Sequence, residues 1–116
     1  ALRTGFLEHE GIPYQFAQPT LRLDLPVREV AAEEADATIA ALRGYLFDLT
    51  SGPMIRPTLL KLDPRTHVLV VLIHHIVTDH NSLGVIYEDL ITAYQARCTG
   101  RVPQWDPLPL QFIDYA

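Results

Sequence analysis

The chain has 116 residues, 48% of them hydrophobic, which is the size and apolar content of one packed domain. Nine Lys and Arg stand against fourteen Asp and Glu, a net charge of −5 with no basic run, so neither nucleic acid nor an anionic membrane surface is an expected partner. Cys98 is the only cysteine, which excludes an internal disulfide and a cysteine-based zinc site and favours a reducing, cytoplasmic setting.

Taken in chain order, LRTGFLE and IPYQFAQ on either side of HEG predict two strands about a turn, with Gly11 supplying the special backbone angle. The opening ALRTGF, with no methionine before Met54, reads as a piece of something longer. LRLDL, residues 21–25, predicts a short alternating strand stopped by Pro26. A helix is expected from about Ala32 to Leu46, with Ala35, Ile39, Leu42 and Leu46 as one apolar stripe and Glu33 and Glu34 in its first turn. FDLTSGP is then a loop that breaks the helix.

MIRPTLLKL, residues 54–62, predicts a strand that Pro57 would put at an edge or a bulge. After a DPRT turn, HVLVVLIHH lacks apolar/polar alternation, the pattern of a strand buried on both faces. Its apolar run, Val68 to Ile73, falls far short of the ~20 residues of a membrane span. A second helix is expected from about Ser82 to Ala96, with Leu83, Ile86, Tyr87, Leu90, Ile91 and Tyr94 on a wide apolar face and Gly100 as its stop. RVPQWDPLPL reads as extended, and QFIDYA begins an element that the sequence does not finish.

HVLVVLIHHIVTDHNS, residues 67–82, drives titratable groups into the end of the most apolar stretch. Successive side chains of a strand point to opposite faces, so His74 and His75 cannot both reach one cleft. Three readings follow. The pair could be buried, hydrogen-bonded and structural. His75, Asp79 and His80, helped by His67 or His9, could hold a metal, although an apolar strand does not present the i, i+4 spacing of a helix face. One histidine could instead handle a proton in transfer chemistry. Asp79 fits an ion pair with an arginine that fixes the turn. Ser82, at a helix start, is expected to cap it. These residues do not suggest a hydrolase triad, because no Gly-x-Ser-x-Gly elbow is present.

HHIVTDHNS resembles the HHxxxDG motif of the condensation domains of nonribosomal peptide synthetases. ALRTGF looks like the end of that family's early arginine motif. FDLTSGPMIRPTLLKL is similar to the segment before its histidine strand, LGVIYEDLITAYQA to the helix after it, and PLPLQFIDYA to the next landmark. The landmarks come in order over nearly the whole chain. The resemblance implies an α/β, chloramphenicol-acetyltransferase-like fold, in which two such halves form a V around a tunnel. Residues 1–116 would then be the N-terminal subdomain, with the C-terminal half absent.

It also implies a function in antibiotic and secondary-metabolite assembly. Carrier-protein domains would enter the two ends of the tunnel, bringing substrates on 4′-phosphopantetheine arms, and no cofactor or metal would be bound directly. The acceptor amine would attack the donor thioester to make an amide. His75 would act in the tunnel as a base or as a group that positions the amine. His74 would be structural, and Asp79 would pair with an arginine, for which Arg3 is the candidate.

His80 stands where the motif has glycine, a departure expected to cost backbone strain and to narrow the tunnel. The chain alone is expected to be inactive, and its uncovered apolar surface to favour a non-native dimer. An epimerisation domain, a stand-alone acyltransferase of the same superfamily, and a degenerate domain that only docks carriers are the alternatives.

Overall fold

Glu10 and Gly11 both take positive φ, 52° and 77°, the signature of the tight turns whose twist matches paired strands. They join β1 (Thr4–His9) to β2 (Ile12–Ala17), an antiparallel pair in register from Thr4↔Ala17 to His9↔Ile12. Gly5 lies opposite Phe16, and a Cβ there would fall 2.5 Å from the Phe16 ring. The glycine thus lets the ring lie flat across the hairpin. A computed structural model supplies these coordinates and describes residues 1–110 and Asp114. The expected start of an element in QFIDYA falls, apart from Asp114, outside the described residues. The chain divides into two units, described separately below: residues 2–77, and the stretch from Thr78 onward, to which Ala1 also belongs.

In the first unit a mixed sheet has the order β3-β4-β5. β3 (Val27–Glu29) runs parallel to β4 (Ile55–Lys61), and β4 runs antiparallel to β5 (His67–Ile73). Two expectations are corrected here by one residue. Pro57 does not put its strand at an edge, because β4 is the central strand. LRLDL is not a strand either, because pairing begins only after Pro26. The Leu59 N–H donates to Pro26 O at 2.9 Å, so that edge of β4 faces β3. Two residues upstream the same edge belongs to Pro57, which has no N–H to donate. The ladder stops there, and residues 21–25 run past it unpaired. A groove of about 700 Å³ opens between Arg22 and Asp24 on one side and Tyr45, Arg56 and Pro57 on the other.

Glu29 and Lys61 face each other in the β3–β4 register and form an exposed ion pair at 2.7 Å. The DPRT turn is closed by Asp63, whose carboxylate accepts from the N–H groups of Arg65 (2.8 Å) and Thr66 (2.9 Å). No residue of β5 is buried, against the expectation of burial on both faces. β5 is an edge strand among the described residues, with β4 as its one neighbour in the sheet.

The first helix begins as a 3-10 turn (Ala32–Glu34) and continues as α1 (Ala35–Arg43). Ala35 is buried and Ile39 and Leu42 are half-buried, so three members of the predicted stripe turn inward. Leu46 does not. The helix ends at Gly44, earlier than expected, and Leu46 is 89% exposed. The core of this unit gathers Met54 and Leu60, both fully buried, with Ala35, Ile55, Val77 and the polar Thr58.

The second unit holds α2 (His80–Cys98). Thr99 closes it and Gly100 takes φ +70°, while the Arg101 N–H reaches back to Ala96 O at 2.8 Å. The apolar spacing predicted for this helix is present, but no α2 residue is buried, and Tyr87 and Tyr94 are well exposed. Residues 101–108 form neither helix nor strand.

The burial pattern sets one expectation. Leu60→Ala should destabilise the chain by ~2–5 kcal/mol, the range for emptying a packed site. Leu46→Ala should stay within ~0.5 kcal/mol. Equilibrium denaturant unfolding of the two variants beside the parent sequence checks both.

Candidate functional site

The histidine pair stands where the sheet stops. His74 lies just past β5, yet its N–H still donates to the carbonyl of buried Met54 at 2.9 Å, so it behaves as one more rung of the β4–β5 ladder. The chain then tightens into a 3-10 turn, His75–Val77, closed by the Val77 N–H on His74 O at 3.1 Å. The His74 ring caps this turn: Nδ1 accepts from the Ile76 N–H at 3.1 Å. An accepting Nδ1 puts the proton of the neutral ring on Nε2. Val77 is buried and anchors the far end of the turn.

His75 is the first residue of that turn and is exposed, whereas His74 is half-buried. The two rings therefore occupy different environments. The cause is the change from strand to turn between them, not the strand alternation expected from the sequence, because β5 ends at Ile73.

In the second unit Asp79 is the N-cap of α2. Its Oδ1 accepts from the Ser82 N–H (2.8 Å) and from the Ser82 hydroxyl (2.6 Å), while the Asp79 N–H points back at Ser82 Oγ at 3.5 Å. This is a reciprocal capping box. Ser82, expected to be the cap, is instead the third helical residue and the cap's partner, because the helix starts two residues earlier than its apolar pattern. The Ser82 hydroxyl, and after it the backbone N–H groups, hold the Asp79 carboxyl below the usual carboxylate range.

His80 is the first residue of α2 and is exposed. Among the described residues positive φ occurs only at Glu10, Gly11 and Gly100, so position 80 needs no left-handed backbone. The expected strain penalty for histidine in place of glycine is therefore absent. Arg3 Nη1 donates to the carbonyls of Gln18 (2.5 Å) and Pro19 (2.8 Å), tying the start of β1 to the chain leaving β2.

Two residues that sequence reasoning passed over belong to this site. Phe47 sets its ring against His74, with centroids 5.7 Å apart and planes at 78°. Phe47 also meets Tyr45 edge-on at 5.0 Å, and the Arg56 guanidinium lies 3.9 Å from the Tyr45 ring centre. Asp48 follows Phe47 and organises its loop. Its carboxylate accepts from the Ser51 hydroxyl (2.5 Å), the Thr50 hydroxyl (2.7 Å) and the Thr50 N–H (2.9 Å), and the Ser51 bond above all lowers it to about 2. A sequence signal for Asp48 existed in D-L-T-S, an aspartate followed by donors two and three residues on. Phe47 had none, since its partner His74 lies far along the chain, past the end of β5. Among the described residues no group of three His, Cys, Asp or Glu side chains is placed to hold a metal ion, and no helix is long and apolar enough to cross a membrane.

An exposed imidazole on a backbone-fixed turn can take a proton and return it. The architecture is α/β, a mixed sheet with helices, of the chloramphenicol-acetyltransferase-like class. The condensation-domain family profile matches residues 1–116. The chain is 43% identical over 118 residues to a dimodular nonribosomal peptide synthase of Bacillus subtilis, covering 100% of this chain and 5% of that protein. Among solved structures it resembles the X-domain from teicoplanin biosynthesis, also solved in complex with OxyB, with a TM-score of 0.90 and 37% identity over 98% of this chain and 25% of that one. It shares its fold with the epimerization domain from the third module of tyrocidine synthetase B, with a TM-score of 0.83 and 24% identity over 99% of this chain and 27% of that one. The chain belongs to the condensation-domain family.

The capping box sets a second expectation. A carboxyl lowered in the folded state stabilises above the ordinary aspartate range, and that contribution is lost as pH falls through its folded value. Asp79→Ala should shorten α2 at neutral pH and remove this acid sensitivity. Asp79→Asn should keep the helix, because an amide oxygen can also accept from Ser82, but lose the same pH dependence. Far-UV circular dichroism titrated from neutral pH into acid compares the three proteins.

Proposed function

We propose that this chain is the N-terminal part of a condensation domain in a cytoplasmic nonribosomal peptide synthetase, and that His75 serves amide formation there. The observation that carries the proposal is His75 itself: the second histidine of HHIVTD, exposed on a turn whose backbone is pinned by His74, within a chain matched end to end by the family profile. The acceptor amine attacks the donor thioester carbonyl. A C–N bond forms, the C–S bond breaks, and the donor's phosphopantetheine leaves as thiolate. The amine must shed a proton on the way, and an imidazole is suited to receive it and to return it to the departing sulfur. Carrier domains present both arms, so orientation supplies part of the acceleration, up to ~7–11 kcal/mol in well-aligned systems. The bulk of the His80 ring is the remaining way in which that substitution would act on the tunnel.

A second reading is a domain that docks partners without catalysis. The teicoplanin X-domain, solved in complex with OxyB, supports it, as does the departure at His80. Epimerisation is a third, supported by the shared fold with the tyrocidine domain.

Single-turnover assays of the parent synthetase, with both carriers loaded, separate these. His75→Ala should lower amide formation by ~10²–10⁴-fold while carrier binding stays unchanged. The 116-residue chain alone should form no amide. Carrier binding without product in the unaltered parent would favour docking, and inversion at the α-carbon without a new amide would favour epimerisation.

A further inference from the structure

We propose that Phe47 is a positioning residue: its ring holds the His74 imidazole in the orientation that caps the turn presenting His75. The inference rests on the functional reading of His75 above.

The His74 ring can place either Nδ1 or a carbon toward the Ile76 N–H, because rotation about its outer torsion is nearly two-fold. Only one of these orientations accepts the 3.1 Å hydrogen bond that closes the start of the turn. The backbone of His74 is fixed by Met54, but nothing in that ladder bond sets the plane of the ring. Phe47 can, and within that plane the Ile76 N–H selects the orientation that turns Nδ1 toward it. Its ring stands at 78° to the imidazole with centroids 5.7 Å apart, an edge contact that restricts the imidazole plane.

Phe47 is held in turn from two sides. Tyr45 meets it edge-on, and the Arg56 guanidinium covers Tyr45. Arg56 stands on β4 two residues after Met54, so the run returns to the strand that holds the His74 backbone. On the other side, the Asp48 carboxylate ties Thr50 and Ser51 into a turn directly after Phe47. Burial does not account for this segment. Phe47 is only half-buried, and its neighbours Tyr45 and Leu46 are exposed. The specific feature is the mutual orientation of the rings.

The test is a set of single-turnover assays on the parent synthetase with loaded carriers. Phe47→Leu removes the ring edge while keeping similar volume. It should lower the rate at saturating acceptor by ~10-fold, the scale of one oriented aromatic pair, with carrier affinity unchanged, and Phe47→Tyr should restore it. His74→Asn offers an amide oxygen to the Ile76 N–H without a ring to be oriented. In that background Phe47→Leu should have no further effect. A Phe47→Leu rate equal to the parent's, or a full Phe47→Leu loss on top of His74→Asn, overturns the proposal. Should Phe47→Leu fail to fold, Tyr45→Leu at an exposed position carries the test: a ~2–3-fold loss supports the relay, and an unchanged rate overturns it. His75→Ala run in parallel keeps the two claims apart. If it retains the parent rate, the functional reading fails. If it loses product while Phe47→Leu does not, only the Phe47 inference fails.

Discussion

One hydrogen bond decides which histidine is held and which is presented: the His74 N–H to the Met54 carbonyl, at 2.9 Å. Met54 is fully buried, so no water can replace that donor, and leaving a buried carbonyl unpaired costs ~1–3 kcal/mol. The bond extends the β4–β5 register one rung beyond Ile55↔Ile73. Sliding β5 by one residue would put His75 on that rung and turn every apolar side chain of the strand to the opposite face. The apolar pairs Leu59↔Leu69 and Leu60↔Val68 thus hold the register that assigns the histidines their separate places.

Three of the fourteen acidic residues of this chain act as backbone devices. Asp48, Asp63 and Asp79 each accept hydrogen bonds from groups two or three residues ahead. All three carboxyls are lowered by those bonds, so all three turns are best formed at neutral pH and weaken in acid. Their positions matter more than the net charge: one follows Phe47, one joins β4 to β5, and one starts α2. The same local chemistry organises the loop before the sheet, the turn within it and the helix after the histidines.

Much of this was legible in sequence, and the failures have physical causes. The β1–β2 hairpin, the DPRT turn and the stop at Gly100 were readable because glycine and aspartate act within three or four residues of themselves. Pro57 was misread because proline's missing N–H matters only on the strand edge it faces, and that side depends on where β3 begins. β5 was read as buried on both faces because its apolar run reports what the strand could bury and not what covers it here. Ser82 was read as the cap that Asp79 provides, because S or D at a helix start gives the same signal for cap and for cap partner. Phe47 was invisible because a ring-to-ring contact between residues far apart in the chain leaves no periodicity. The family resemblance pointed to the right class, while the strain expected at His80 assumed a backbone angle that the residue does not have.

The central claim is that the side chain of His74, held at the end of the sheet, caps the turn that carries His75. Amide hydrogen exchange tests it most directly, resolved at residues 74, 76 and 77 in the unaltered protein and in His74→Ala. The account predicts protection at all three amides in the unaltered protein. In the variant, Ile76 loses its protection because its acceptor is gone, while residues 74 and 77, bonded through backbone carbonyls, keep theirs. Unchanged exchange at Ile76 in the variant would contradict it, since that amide would then be protected without the histidine ring.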